Sequence, residues 1–267
     1  MSTAAQVRHP HSVRHGRLPA LVALAACAAL GLWWVDGAPG QGDPDEGVAV
    51  LMYHHVGDWG PPGDWAPWVV KPADFEAQLD WLLAHGHHPI TLDQFMAHLE
   101  RGQDLPPKPF LVTVDDGWGE DADIARRYLD PRGIPAVFFV YSGAVGAPGY
   151  LSWPQVHQLE AAGHTVASHT VSHPNLVQLP DERLAFELRE SRARLERELG
   201  HPVTALAYPF GSYDARVAAA AQAAGYRLAF RAEGPDAHQG DRRLEIPRWK
   251  MDYGEPLQTF AQRLQAP

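Results

Sequence analysis

The feature that most constrains the fold is an alternation of short apolar runs with longer segments whose apolar residues follow helical spacing. Beginning at Val48, an apolar run of strand length is followed by a helical segment at least five times along the chain. Strands separated by helices favour a parallel sheet that is covered by those helices. The sequence therefore predicts an α/β fold.

Polar residues with chemical potential follow these apolar runs directly. His54 follows the first run, the Asp115–Asp116 pair ends a later one, and His169 and Arg248 follow two others. In parallel α/β barrels the functional residues gather at the carboxyl ends of the strands, around one mouth. We therefore expect these side chains to meet in a single site.

The acid pair and a histidine pair together indicate a metal site. His169 and His173 are spaced i, i+4, and one of the two acids with both histidines would make three ligands. Three protein ligands leave positions open for water and substrate, which is typical of a catalytic centre, whereas structural zinc sites are closed by four. The remaining acid could serve as a base. Taken alone, each pair has an ordinary explanation, because Asp-Asp-Gly is common in turns and the chain has 15 histidines.

Composition excludes some partners. The formal net charge is −10, which argues against nucleic acid as a partner but says little about a neutral glycan. The single cysteine, Cys27, excludes an internal disulfide.

The N-terminus resembles an export signal. Residues 1–17 are basic and polar, and residues 18–35 carry no charge. Such a segment is either cleaved or retained as a membrane anchor, with the rest of the chain outside the cytoplasm: periplasmic, cell-surface or anchored facing outward. Cys27 also lies in a box resembling a lipoprotein cleavage site. The predicted division is a signal or anchor at 1–37, a Gly/Pro/Asp-rich linker at 38–47 and a folded domain at 48–267.

Three motifs resemble those of a known family. Residues 113–117 read T-V-D-D-G, residues 168–173 read S-H-T-V-S-H, and residues 207–211 read A-Y-P-F-G. In this order they resemble the motifs of the polysaccharide deacetylases, carbohydrate esterase family 4, which have a NodB homology domain. The resemblance covers roughly residues 48–250. It implies a distorted (β/α) barrel of about seven strands, a divalent metal and hydrolysis of N-acetyl groups on amino sugars.

The resemblance also implies a role for each motif residue. Asp115 would be the general base, and Asp116, His169 and His173 would hold the metal. The backbone N–H of Phe210 would stabilise the oxyanion. Zinc is the favoured metal, and cobalt, nickel and iron are alternatives, because affinity alone does not select among them.

Two departures from the family pattern point to a subgroup. Tyr208 stands where the third motif commonly has an arginine that orients the base, and residues 52–56 read M-Y-H-H-V. Both features resemble the enzymes that deacetylate poly-β-1,6-N-acetylglucosamine. In that subgroup the histidine after the aromatic residue is the acid, which implies His54, with His55 and His238 as alternatives. Arg248 either replaces the missing arginine or forms a surface ion pair.

Several glycan substrates agree with the motifs. The expected partner is an N-acetylated polysaccharide such as poly-β-1,6-N-acetylglucosamine, with peptidoglycan, chitooligosaccharide and O-acetylated xylan as alternatives. Tryptophans such as Trp59, Trp65, Trp68 and Trp118 could stack on sugar rings, although most tryptophans serve packing first. A function of another class is glycan binding without catalysis, for which the loss of the base or of a ligand would be expected.

Overall fold

The computed structural model describes residues 47–58 and 68–265. The predicted export segment at 1–37 lies outside these residues, as do nearly all of the linker at 38–47, Trp59 and Trp65. Among the helices of the described ranges, none has the length and apolar character needed to cross a membrane.

Within the described residues the chain forms ten strands and seven α-helices. The strands are β1 (Ala49–Tyr53), β2 (His55–Val56), β3 (Val69–Val70), β4 (His88–Pro89), β5 (Pro109–Asp116), β6 (Ala136–Val140), β7 (Thr165–Ser168), β8 (Ala205–Ala207), β9 (Leu228–Phe230) and β10 (Trp249–Lys250). The helices are α1 (Pro72–Ala84), α2 (Leu92–Arg101), α3 (Asp121–Ile124), α4 (Trp153–Ala161), α5 (Asp181–Leu199), α6 (Ala215–Ala223) and α7 (Leu257–Gln265).

The main sheet is parallel and curls into an incomplete barrel. Its strands follow the order β10-β1-β5-β6-β7-β8-β9, and β4 pairs with β5 beside this path. Between the two ends of the path, Phe230 of β9 pairs with Ile246, and Trp249 of β10 pairs with Leu51 of β1. We call residues 246–250 the closing segment, because this one segment reaches both edges. The predicted α/β fold with a distorted barrel of about seven strands is confirmed.

Strand alternation divides the core into two layers. On β5, the buried Phe110, Val112 and Val114 pack in the cluster between the sheet and the helices, whereas Leu111 packs in the cluster on the opposite face. Successive side chains of a strand point to opposite faces, so Thr113 and Asp115 lie on the same face as Leu111. An apolar run therefore ends with an acid on the inner face of the barrel.

Leucines at helical spacing, followed by Gly200, predict a helix over residues 181–199, and α5 agrees with this pattern from end to end. It spans Asp181–Leu199 and ends at Gly200, whose φ of 78° is the left-handed conformation that glycine adopts at little cost. Its buried leucines face the core, but two polar residues of the same face, Glu187 and Ser191, are also fully buried. The apolar stripe gave no indication of these two.

Local structure departs from the sequence pattern in three places. Residues 121–129, which the pattern predicts to be helical, are helical, but as α3 followed by a π-helical turn at Ala125–Leu129. The run at residues 245–249 predicts a late strand, but the strand is confined to Trp249–Lys250, with a single bridge at Ile246. Strands β2, β3 and β4 were not predicted, because two residues are too short to show a period.

Candidate active site

The seven residues to which the sequence assigns catalytic or metal-binding roles line one pocket of about 440 Å³ at the carboxyl ends of the strands. They come from the position directly after β1, from β5, from the loops after β7 and β8, and from the closing segment. The set is His54, Asp115, Asp116, His169, His173, Phe210 and Arg248. Their convergence is a geometric observation, and their chemical roles stay predictions.

Asp116 and the two histidines form a three-ligand group. Oδ1 of Asp116 lies 3.5 Å from Nε2 of His169 and 3.4 Å from Nε2 of His173. One ligand atom from each residue lies within 4.8 Å of the others, and the described part of the chain contains no second group of this kind. Oδ1 of Asp116 is buried and has no hydrogen-bond partner among the described residues. A buried carboxylate oxygen that faces two imidazole nitrogens fits a divalent cation.

Neighbouring groups orient two of these ligands. Nδ1 of His169 lies 2.8 Å from the carbonyl oxygen of Ala207, which can only accept, so in the neutral ring Nδ1 donates and Nε2 presents its lone pair. Nε1–H of Trp118 donates to Oδ2 of Asp116 at 3.2 Å. Each contact holds its side chain through an atom that points away from the space between Asp116 and the histidines, and leaves the facing atom available to a cation.

Unusual backbone conformations cluster at this site. Non-glycine residues with positive φ include Asp116 (81°), Thr170 (70°), His173 (56°) and Phe210 (60°). Such conformations cost free energy and persist where the surrounding structure enforces them, often at functional sites. The positive φ of Asp116 ends the strand alternation and lets this acid reach the mouth of the barrel beside Asp115.

Asp115 is held by a buried arginine. Nη1 and Nη2 of Arg248 donate to Oδ1 and Oδ2 of Asp115, both at 2.7 Å, and Nη1 also donates to Oγ1 of Thr113 at 3.2 Å. Nε of Arg248 donates to the carbonyl oxygen of Arg231 at 2.9 Å. Arg248 is 1% exposed, so the alternative of a surface ion pair is wrong.

The pKa of Asp115 reflects two opposing effects. Burial raises this pKa. The positive charge of Arg248 and the neighbouring His169 lower it by more than burial raises it, so the net pKa lies below the ordinary range of aspartate. Asp115 is therefore a carboxylate at neutral pH, as a general base must be.

The pKa values of Asp116, His169 and His173 shift in different directions. Burial, and then the proximity of His169, lower the pKa of His173 to about 4, so this ring is neutral near pH 7. Burial lowers the pKa of His169 too, but hydrogen bonding to Asp116 and the charge of Asp115 outweigh it and the net shift is upward. For Asp116, burial raises the pKa, while the histidines lower it to a net value below the ordinary range.

The structure separates His54 from its two rivals. Nε2 of His54 lies 4.0 Å from Oδ2 of Asp115, and its ring packs 4.5 Å from that of Trp68. His55 turns away, with Nδ1 2.6 Å from Oε1 of Glu120, and His238 lies beside Gly47 at the opposite end of β1. Only His54 of the three lines the pocket.

Comparison with known proteins assigns the domain. Residues 102–229 match the family model for polysaccharide deacetylase. The chain carries a domain of the polysaccharide deacetylase family. YxkH of Bacillus subtilis, provisionally named a polysaccharide deacetylase, is 25% identical over 213 residues, which are 80% of this chain and 74% of YxkH.

Two further proteins resemble the deacetylase domain. The poly-β-1,6-N-acetyl-D-glucosamine N-deacetylase of Staphylococcus aureus is 23% identical over 193 residues, and the match covers 67% of this chain and 66% of that enzyme. The structure of IcaB from Ammonifex degensii superimposes with a TM-score of 0.72 and 28% identity, covering 85% of this chain and 99% of IcaB.

Aromatic side chains form much of the remaining pocket wall of the deacetylase domain. The ring of Trp118 stacks on Tyr150 at 4.7 Å, Tyr141 meets Tyr150 edge-on at 5.0 Å, and the Phe210 ring lies 4.6 Å from that of His173. Phe210 is 63% exposed, which is unusual for a side chain of this size. Rings at a pocket mouth suit the apolar faces of sugars.

Sequence reasoning missed several of these residues. Tyr141 follows the apolar run of β6, so the rule that singled out the other strand ends would also have found it. Tyr150 lies in a loop, and no local signal distinguished it. Glu187 lies outside the pocket wall but contacts the loop that carries His173, and it was missed because the helical pattern of α5 concerns only its apolar residues.

Proposed function

We propose that this protein is a metal-dependent hydrolase that removes N-acetyl groups from an amino-sugar polysaccharide outside the cytoplasm. One observation carries the proposal: two adjacent acids enter one pocket in opposite environments. Asp115 is paired with a buried arginine, and Asp116 faces two imidazole nitrogens. This arrangement provides a base and a cation site side by side.

Asp116, His169 and His173 would hold the cation. When bound, a divalent metal supplies Lewis-acid polarisation of the acetyl carbonyl and increases the acidity of water. We favour zinc for one carboxylate and two imidazoles, with cobalt, nickel and iron as alternatives.

Asp115 would remove a proton from the water that attacks the acetyl carbonyl carbon. The bidentate contact with Arg248 fixes the plane of its carboxylate and favours the ionised form. Without this arginine, a buried acid at this position would tend to hold its own proton.

The chain also offers an oxyanion donor and an acid. The backbone N–H of Phe210, in a turn at the pocket mouth, would donate to the developing oxyanion. His54 would give a proton to the departing nitrogen as the carbon–nitrogen bond breaks, so that an amine leaves and acetate remains. An amide nitrogen is a poor leaving group unless it is protonated. Burial lowers the pKa of His54 below the ordinary value of histidine, although the charges of Asp115 and Asp116 oppose this shift, so the protonated ring gives up its proton readily.

We further propose poly-β-1,6-N-acetylglucosamine as the substrate, supported by the similarity to the Staphylococcus aureus enzyme of that name and to IcaB. Peptidoglycan, chitooligosaccharide and acetylated xylan are the alternatives. A glycan-binding protein without catalysis is disfavoured because the predicted base, acid and ligands are all present. Residues 1–37 are proposed to export or anchor the catalytic domain, residues 48–267.

The test is acetate release from a panel of N-acetylated glycans, with a chelator and after addition of zinc, cobalt or nickel. We expect release that chelation abolishes and a divalent metal restores. Full activity in a sample verified to be metal-free would contradict the metal-dependent mechanism. The glycan from which acetate is released fastest identifies the substrate class.

A further inference from the structure

A buried carboxylate that the proposed reaction does not use lies behind the loop after β7, which carries His169 and His173. Glu187, in the middle of α5, is fully buried. Its Oε2 accepts hydrogen bonds from the backbone N–H groups of Val171 and Ser172, both at 2.9 Å. Its Oε1 accepts from the hydroxyl of Ser172 at 2.7 Å and from Nη2 of Arg183 at 2.6 Å. Charged side chains are rarely buried to this degree unless they are paired, so four donors on one carboxylate indicate a specific task.

Three of these donors belong to the segment that carries a proposed ligand. Residues 170–173 follow β7 and end at His173. The first and the last residue of this segment, Thr170 and His173, have φ in the left-handed region. A non-glycine residue with positive φ costs on the order of 1–3 kcal/mol and needs contacts that enforce it. Glu187 contacts the two residues between them, Val171 and Ser172.

Helix α5 makes a second contact with the same segment. Ser191, one turn after Glu187, donates to the carbonyl oxygen of Thr170 at 2.9 Å. Residues at i and i+4 lie on one helix face, so both polar groups of the buried face point at the segment. The remaining turn is closed internally, since the N–H of His173 donates to Oγ1 of Thr170 at 3.1 Å.

We infer that Glu187 is a positioning residue for His173. By binding two successive backbone N–H groups, it holds the strained segment in the conformation that directs Nε2 of His173 towards Oδ1 of Asp116. The inference rests on the proposed function, because His173 is a ligand only if the pocket binds a metal. Without Glu187, the two backbone N–H groups lose their acceptor and the segment can relax away from the strained conformation.

Three variants separate positioning from simple support of the fold. Glu187→Ala removes every contact with the segment. Glu187→Gln retains an oxygen for the backbone N–H groups and an NH2 that can donate to the Ser172 hydroxyl, but it loses the ion pair with Arg183. Leu195→Ala opens a cavity at a fully buried position two turns further along the same helix, away from the segment.

Zinc affinity is measured by calorimetry on the metal-free full chain, together with the melting temperature. Loss of an indirect contact to a metal ligand typically weakens affinity 10–100-fold, so Glu187→Ala should raise the Kd about 10-fold or more. Glu187→Gln should fall between Ala and the wild type, at about 3-fold. Leu195→Ala should lower the melting temperature and leave the Kd unchanged.

Hydrogen–deuterium exchange of the metal-free protein gives a readout that does not need zinc. Peptides that span residues 170–173 should exchange faster in Glu187→Ala than in Leu195→Ala. If Glu187→Ala does not fold, Glu187→Gln decides, and a wild-type Kd together with wild-type exchange in that variant overturns the inference.

The outcomes distinguish the inference from the function on which it rests. If the wild type binds zinc and Glu187→Ala binds it equally well, the inference is wrong and the proposed function stands. Equal weakening in Glu187→Ala and Leu195→Ala would reduce Glu187 to a stabilising residue and also overturns it. If the wild type binds no zinc, nickel or cobalt, both the metal-dependent function and the inference fail.

Discussion

The two sides of the pocket treat neighbouring carboxylates in opposite ways. On the base side, formed by β1, the inner face of β5 and the closing segment, Asp115 has a buried cation of the protein in bidentate contact. On the metal side, formed by the end of β5 and the loop after β7, Asp116 faces two imidazoles, and its Oδ1 has no hydrogen-bond donor among the described residues. The base side is balanced in charge by the chain itself, whereas the metal side is suited to a cation from solution.

Position along the chain cannot explain this difference, since the two acids are adjacent. Strand alternation places Asp115 on the inner face with Thr113, and both contact Arg248. The positive φ of Asp116 then directs the next side chain towards the histidines. One backbone angle thus separates the environments of two identical side chains.

Exchanging each acid for its amide gives the largest expected effect. Asp115→Asn should retain the metal and lower turnover by about 10²–10⁴-fold, the range for a lost general base. Asp116→Asn should lower metal occupancy as well, because it removes one of three ligands. Acetate release and metal analysis of the same samples test this pair. If the Asp115 variant lost metal and the Asp116 variant kept it, the two sides would have to be exchanged.

Removal of the proposed acid should separate two substrates. His54→Ala should slow amide hydrolysis by about 10²-fold or more, the lower end of the effect for a lost general acid. Hydrolysis of an aryl acetate should fall much less, since a phenolate leaves without protonation. The measured quantity is the ratio of the two rate losses. Equal losses would show that His54 acts on structure or metal geometry, because an acid is needed for only one of the substrates.

Replacing Arg248 tests whether the base side depends on its own cation. Arg248→Met leaves Asp115 buried and unpaired, which should cost about 3–5 kcal/mol of unfolding free energy. Because the arginine charge lowers the pKa of Asp115 and burial raises it, the acidic limb of the pH–rate profile should move to higher pH in the variant. Arg248→Lys retains the charge without the fork and should shift this limb less. An unchanged limb in Arg248→Met would separate Asp115 from catalysis.

A third acid sharpens the comparison with a smaller effect. Asp121 is fully buried, and its carboxyl oxygens have no hydrogen-bond partner among the described residues; burial, and then Glu120 and Asp116, raise its pKa well above the usual value. A raised pKa stabilises the fold below the unfolded pKa, and this contribution is lost as the pH rises through the folded pKa. Wild-type stability should therefore fall relative to Asp121→Asn by up to about 1.4 kcal/mol per pH unit across that window.

Thermal unfolding of both metal-free proteins at pH 5 and pH 8 measures this difference. The advantage of the Asn variant should be larger at pH 8. A stability difference between the two proteins that does not depend on pH would mean that Asp121 is ionised in the fold over this range.

The sequence predicted those parts of the molecule that show a periodic spacing of apolar residues or a polar residue directly after an apolar run. The parallel α/β barrel followed from alternating runs, and α5 was correct to the residue because its leucines and Gly200 mark its face and its end. His54, Asp115, His169 and Arg248 were found because each follows an apolar run. Contacts between distant segments leave no such local trace, so the pairing of Arg248 with Asp115 was one of two alternatives, and the role of Glu187 was not visible.

Two-residue strands and the π-helical turn were missed for a related reason. Their geometry is set by neighbours in the fold, such as the pairing of His55 with Val69, and local propensity says little about them. The family resemblance supplied what spacing could not, namely which of two adjacent acids is the predicted base.

The closing segment has a consequence for the order in which the protein is assembled. Residues 246–250 bridge the two edges of the sheet, and their middle residue, Arg248, is the cation that pairs with Asp115. During synthesis this segment emerges after all the other strands, so the base is completed by the last strand to arrive. A chain truncated before residue 246 would keep the metal ligands and lack the partner of its base. The segment that closes the barrel therefore also supplies the charge that balances the proposed base, and a chain that ends before it leaves Asp115 without its arginine.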